Sequence, residues 1–226
     1  GNLVRVVDAQ VQQLPYFRNN VLHLFAVPAL IACLLGNNRR LDLQRLTDAV
    51  AGIHGILRPA LFLRWSDDDL LHEIQRTIGI LAGRGLLRRA EANGWLLAPD
   101  TNSQEFPELQ MIGETLRPML GRHFLALALL QQRGSGKLTR AVLEKDCVLL
   151  AQRLALLHGF GETETADKSD FANLVASLLD AELLEEDREG LLRFDEHLLE
   201  PLTYAELVLP ADARQSIRRV AEQPAA

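Results

Sequence analysis

The chain has 226 residues, 48% of them apolar and 24% charged, which is ordinary globular composition and enough length for one large domain or two small ones. Its formal net charge of −6 argues against a broadly basic, phosphate-neutralising surface, so nucleic acid is not an expected partner. Cys33 and Cys147 both lie in apolar stretches and read as buried, reduced thiols of a cytosolic protein rather than as a disulfide.

In chain order, Leu3 to Val11 alternates weakly and is predicted as a short leading strand. The start lacks the charged-then-apolar pattern of a signal peptide, and an initial Gly in place of Met fits an excised or tagged piece. A polar box, Tyr16-Phe17-Arg18-Asn19-Asn20, then feeds into an apolar run broken by His23 and Pro28 and stopped by Gly36. Asn19 or Asn20 is expected to cap a helix over residues 20–35. The uncharged run Val21 to Leu35 has fifteen residues and falls short of the ~20 that span a bilayer, so it reads as a core helix.

Further helices are expected at 42–57, 66–84, 105–132, 139–158, 169–181 and 211–222. Ser66 ahead of three aspartates is a cap followed by carboxylates that face the positive end of the helix dipole. Leu70, Ile74, Ile78 and Leu81 then recur on one face. Asn93-Gly94 between Leu86-Leu87 and Trp95-Leu96 predicts a hairpin, because both turn positions tolerate positive φ. An offset of 97 residues places Leu138 on Leu41, Leu143 on Leu46, Leu178 on Leu81 and Leu183-Leu184 on Leu86-Leu87. The order of elements repeats as well, so the expected fold class is mainly α. It has two possibly duplicated helix-helix-helix-hairpin units, winged-helix-like, with few short strands. The expected division is a leading segment 1–18, a first unit 19–100, a second unit 101–200, and a C-terminal tail or helix 201–226.

Helix, helix, helix, hairpin is also the order of a winged DNA-binding domain, whose third helix should concentrate Lys and Arg. Here Ser66 to Leu81 carries Arg76 against Asp67, Asp68, Asp69 and Glu73, and Ser169 to Glu182 carries no basic residue. Both helices would repel phosphate, and they read as packing scaffolds. Gly134-Ser135-Gly136-Lys137 lacks the earlier Gly and the following Ser or Thr of a phosphate loop and reads as a flexible turn. Neither the histidines nor the cysteines have metal-ligand spacing, and no metal or cofactor is expected. Arg214, Arg218 and Arg219 read as a solvated basic tail rather than a membrane foot.

The polar box stands ahead of two later blocks. One is Ala60-Leu61-Phe62-Leu63-Arg64-Trp65 followed by Asp67-Asp68-Asp69-Leu70. The other is Leu143-Glu144-Lys145 with Ala151-Gln152-Arg153-Leu154-Ala155-Leu156-Leu157-His158-Gly159. In this order and spacing the three resemble the C-terminal region of the bacterial membrane-associated sn-glycerol-3-phosphate acyltransferases, over about Leu14 to Ala205. Members transfer a fatty acyl chain from acyl-CoA or acyl carrier protein to the 1-hydroxyl of glycerol 3-phosphate, giving lysophosphatidate for phospholipid synthesis. The resemblance implies a signature His followed five residues later by Asp, in which the imidazole takes the hydroxyl proton and the carboxylate steadies it. Five residues beyond His23, His54, His72, His123, His158 and His197 stand Pro28, Pro59, Thr77, Ala128, Thr163 and Leu202. The chain is therefore expected to be an accessory part that follows the catalytic domain, with no catalytic residue of its own.

The implied partners are the N-terminal catalytic domain of the same polypeptide, acyl carrier protein, and the cytoplasmic face of the inner membrane, reached through the parent protein. Candidate interdomain or substrate-proximal residues are those of the blocks: Arg18, Asn19, Asn20, His23, Arg64, Trp65, Glu144, Lys145, Arg153 and His158. Arg64 and Trp65 read either as a stacked pair or as a buried Trp beside a surface Arg. Glu144 and Arg153 read as an internal salt bridge, and His158-Gly159 as a helix end. The alternative function is a free-standing winged-helix-like interaction module that binds a protein or nucleic-acid partner.

Overall fold

The computed structural model describes residues 13–61, 63, 65–90, 94–158, 168–209 and 211–221. Its axis is α1 (Gln13–Asn38), which is buried on every side from Ala29 to Leu35. A helix apolar all round belongs at the centre of a fold, and α1 packs against four others introduced below. It begins seven residues earlier than the expected asparagine cap. Pro15 falls in its first turn, where a missing N–H costs nothing, so nothing stops the helix before the polar box. Asn19 and Asn20 thus lie within the helix rather than at its cap. The predicted leading strand lies outside the described residues, and the boundary expected after residue 18 falls inside α1.

Strand β1 (Arg40–Asp42) leads into α2 (Leu43–Leu61), where Asp42 Oδ1 caps the first turn by accepting from Gln44 N at 2.9 Å and Arg45 N at 3.2 Å. Leu46, Val50, Ile53 and Leu57 form its buried stripe. Helix α3 (Asp67–Gly83) starts at Ser66, whose hydroxyl accepts from Asp69 N, and buries Leu70, Ile74, Ile78 and Leu81 as the periodicity predicts. Gly85, at φ +75°, then reverses the chain so that Leu86 N bonds Leu81 O at 2.9 Å.

Strands β2 (Arg88–Arg89) and β3 (Trp95–Leu97) form the predicted hairpin, with Gly94 at φ +68°. The sheet order is β1-β3-β2, all antiparallel, with Arg40 and Arg88 both opposite Leu97. Leu41 and Leu96 point inward and are buried.

The single helix expected over 105–132 is two: α4 (Glu105–Glu114) and α5 (Arg117–Arg133). The break follows from Pro118, which has no N–H to return to Glu114. Thr115 N and Leu116 N close instead onto Ile112 O at 3.3 Å and Gly113 O at 3.2 Å, a tighter winding. Gly113 lets α4 cross α1 closely, because a Cβ there would lie 3.2 Å from Cys33 N.

Helix α6 (Arg140–His158) and α7 (Lys168–Asp180) precede a second hairpin, β4 (Glu185–Glu186) with β5 (Leu192–Arg193). Thr139 bridges Leu191 beside it, as Asp42 pairs with Trp95 beside the first. The bounds of α6 sit 97 positions beyond those of α2, and those of β4 sit 97 beyond those of β2. One continuous core runs through both halves, with Phe124 and Phe171 its largest fully buried side chains.

The C-terminal segment is packed helix, not tail. A 3₁₀ helix (Glu196–Tyr204), capped by Asp195, lies on α2 and α5, and the boundary expected after residue 200 falls inside it. Helices α8 (Ala205–Val208) and α9 (Ala211–Ala221) follow, with Leu207, Val208 and Ile217 buried. The side chains of Asn37 and Asn38 donate to Val208 O and Leu207 O, tying the end of α1 to α8. The four helices on α1 are α2, α3, α4 and α8.

Candidate functional site

The residues of the three blocks occupy separate parts of the fold. Arg18, Asn19 and Asn20 are described by their backbone alone, within α1, and His23 is half-buried one turn further on. Arg64 lies outside the described residues, as does Gly159 beyond the last residue of α6, His158. Trp65 is half-buried, its ring centroid 6.5 Å from that of the buried His54 and tilted by 57°. Trp65 thus packs on a helix of the core. Glu144 is paired with Arg140 at 2.8 Å, one helical turn away, and the Arg140 guanidinium also donates to Ala172 O of α7 at 3.4 Å. This corrects the expected pairing with Arg153, since nine residues of helix separate the two by roughly 13 Å. Lys145 and Arg153 are exposed along α6.

The structure builds a cleft elsewhere. A cleft of about 870 Å³ opens between the C-terminal end of α2, the start of α5 and the length of α7. Pro59, Leu61, Leu63, Met119, Leu174 and Leu183 give it apolar walls, and Arg58, Arg122, Asp170, Asn173, Ser177 and Asp180 its polar groups. Arg122 and Asp170 face each other at 3.6 Å across α5 and α7.

His123, 3% exposed, also lines the cleft. Its Nδ1–H donates to Met119 O at 2.9 Å, because the carbonyl can only accept. Its Nε2 is therefore a lone-pair acceptor, and it is buried with no hydrogen-bond partner among the described residues. Burial lowers the imidazole pKa to about 4, against a weaker raising effect of the Met119 bond. The ring stays neutral at pH 7, and it is too weak a base to take a proton from an alcohol efficiently. Ser177, on the facing helix, directs its hydroxyl to Leu174 O at 2.8 Å. The cleft can hold a ligand by shape and by the polar groups at its surface, Arg122 and Asp170 among them, but it lacks the paired imidazole and carboxylate of hydroxyl activation among the described residues.

Sequence reasoning passed over this cleft. Its one local signal is Arg122-His123, a polar pair set into the otherwise apolar run of α5. Cys33 and Cys147 are both buried and free, and burial pushes the Cys33 thiol up to about 12 and Cys147 up further, so neither is a nucleophile at neutral pH. No cluster of three metal-ligating side chains occurs among the described residues, and none of their helices is long and apolar enough to cross a membrane.

Fold and site together define a helical packing body with an open cleft. A family model described as the glycerol-3-phosphate acyltransferase C-terminal region matches residues 1–187. The chain belongs to that family. Proteins named glycerol-3-phosphate acyltransferase from Pseudomonas paraeruginosa (strain PA7) and Pseudomonas aeruginosa (strain UCBPP-PA14) are each 39% identical over 227 residues. One from Pseudomonas putida (strain W619) is 35% identical over 222 residues. These alignments cover 98–100% of this chain and 27% of each relative, so the chain spans about a quarter of the length of the curated relatives it matches.

Proposed function

We propose that this chain is the non-catalytic C-terminal part of a glycerol-3-phosphate acyltransferase. In this reading it supports acyl transfer carried out by the remainder of a longer polypeptide. The observation that carries the reading is the pairing of family and content. The chain aligns along its length with 27% of proteins named for that activity. None of its six histidines has the Asp five residues on that the resemblance leads one to expect. The reaction assigned to the whole protein joins an acyl group from acyl-CoA or acyl carrier protein to glycerol 3-phosphate at the cytoplasmic face of the membrane. The partner of first importance is the N-terminal catalytic domain. We assign the contact with it to the first half of α1, where Arg18, Asn19, Asn20 and His23 lie, and treat residues 19–100 and 101–200 as the two units of the supporting body.

The test is acyl transfer to glycerol 3-phosphate by the separately expressed N-terminal part, with and without this chain, using this chain alone as the blank. Activity that appears only on mixing supports an obligatory structural partner. Full activity of the N-terminal part alone overturns the supporting role, and activity of this chain alone overturns the non-catalytic assignment. Replacing Asn19 and Asn20 by Ala in the whole enzyme should lower activity or stability; an unchanged enzyme removes α1 as the contact.

A further inference from the structure

Helix α7 lays a polar stripe along one side of the cleft. Asp170, Asn173, Ser177 and Asp180 recur at i, i+3, i+7 and i+10, one face of the helix, and all four line the opening. From Asp170 to Asp180 the stripe runs roughly 15 Å. The opposing wall is apolar, built from Leu61 and Leu63 at the end of α2 and Met119 at the start of α5. Two groups of the stripe are already engaged, Asp170 with Arg122 at 3.6 Å and the Ser177 hydroxyl with Leu174 O at 2.8 Å. The side chains of Asn173 and Asp180 are not, and neither is that of Arg58 on α2. Among the described residues none of these three has a hydrogen bond or an ion pair, and all three are exposed.

An occupant of this cleft is long, apolar toward one wall and hydrogen-bonding toward the other, with a place for charge of each sign. A fatty acyl chain suits the apolar wall but strips water from Asn173 and Asp180 without replacing it. A helix has already paired its backbone groups internally. An extended polypeptide suits both walls. Its side chains alternate, so every second one faces Leu61, Leu63 and Met119, while a backbone N–H and C=O lie open to the Asn173 amide, which donates and accepts. A segment of about five residues covers the length of the stripe.

We propose that the cleft holds an extended segment from the rest of the polypeptide, apolar in its centre, with an acidic side chain on Arg58 and a basic one on Asp180. The inference rests on the reading of this chain as part of a longer acyltransferase: it spans 27% of its relatives, and the occupant comes from the remaining length. Covalent attachment supplies the segment at high effective concentration, so contacts too weak to hold a free peptide suffice. The cleft is then a second contact, separate from the first half of α1. Its Ala60, Leu61 and Leu63 belong to the block Ala60-Leu61-Phe62-Leu63-Arg64-Trp65 that carries the family resemblance.

Asn173→Cys gives the readout, because position 173 is exposed in this chain while Cys33 and Cys147 are buried. Maleimide labelling at that position is followed by mass spectrometry in the 226-residue chain and in the whole enzyme. Labelling should be prompt in the chain and about tenfold slower in the whole enzyme. Adding Arg58→Glu or Asp180→Lys to the whole enzyme should each speed it about threefold. Lys137→Glu, a charge reversal at an exposed turn outside the cleft, should leave it slow. Cys33, unlabelled throughout, reports that each variant is folded. Equal labelling of chain and whole enzyme overturns the proposal, as does protection indifferent to both cleft charge reversals. Protection of the isolated chain that rises with its own concentration, or that requires added dodecanoate, overturns it too, because the occupant is then a second copy or a free amphiphile. The supporting role is judged separately, by acyl transfer on mixing. If that role stands while position 173 stays open in the whole enzyme, the cleft assignment alone falls.

Discussion

Replacing Gly52 by Ala sets two known effects against each other. Gly52 lies inside α2, where Ala is favoured over Gly by about 0.5–1 kcal/mol. Its α-carbon, however, faces the ring of Tyr204 from the 3₁₀ helix. A Cβ there would stand 3.1 Å from Tyr204 Cδ2 and 3.3 Å from Cζ, and closer still to Cε2. An aromatic ring edge cannot fold away as the end of a Lys or Met can. The ring must swing or the helix must shift, at about 1–3 kcal/mol for overpacking of this kind. Gly55, one turn on in the same helix, has open space around it: a Cβ added there would meet nothing within 4 Å. Gly55→Ala should therefore gain about 0.5–1 kcal/mol, while Gly52→Ala loses about 1–2 kcal/mol net.

Urea unfolding of both variants and the parent chain gives the comparison as a shift in midpoint at constant slope. Adding Tyr204→Ala closes a cycle. Losing the ring should cost less in the Gly52→Ala background than in the parent, because there it also removes a clash. Equal stability of Gly52→Ala and Gly55→Ala, or strict additivity with Tyr204→Ala, would refute the close packing of the 3₁₀ helix on α2.

Ser66→Ala should lower stability by about 1 kcal/mol in the same urea assay, because the hydroxyl that accepts from Asp69 N is the cap of α3. Cys33 and Cys147 should react with a thiol reagent only as fast as the chain unfolds, and promptly in denaturant. Rapid labelling of the folded chain would place at least one of them outside the core. His123 should make the chain less stable as the pH falls from about 6.5 to about 4. Across that window the unfolded histidine binds a proton that the folded one, held near 4 by burial, refuses. The full effect is at most about 3 kcal/mol, read as the difference between the parent and His123→Gln in unfolding at a series of pH values. Identical pH slopes would contradict the burial of the ring.

What could be read from the residues was mostly what neighbours along the chain decide. The stripe Leu70, Ile74, Ile78 and Leu81, the Ser66 cap and the positive φ of Gly94 each depend on a few adjacent positions, and each stands where expected, while Asn93 lies outside the described residues. The start of α1 misled because an asparagine cap is a preference and not a barrier. With Pro15 harmless in the first turn, helix continues through Asn19 and Asn20. Glu144 found Arg140 rather than Arg153 because a salt bridge on a helix follows the turn. The cleft had no comparable signature. Arg58, Arg122 and Asp170 come from three helices far apart in sequence, and each by itself resembles an ordinary solvated charge. His123 differs from any core histidine only in what surrounds it, and that is set by tertiary packing.

The charge reversal between the hairpins follows from the same division between inside and outside. Some positions related by the 97-residue offset agree in residue and burial: Leu46 and Leu143 are both 0% exposed, and Leu87 and Leu184 are both 1% exposed, whereas the buried Ile56 and Leu96 correspond to the exposed Arg153 and Arg193. Close packing penalises a change of even one methylene at the buried sites. Exposed strand positions carry no such constraint, since surface substitutions away from special features cost within about 0.5 kcal/mol. Arg88-Arg89 and Glu185-Glu186 could therefore take opposite charge with little effect on the fold. A difference that stability leaves free is open to being set by what each surface meets.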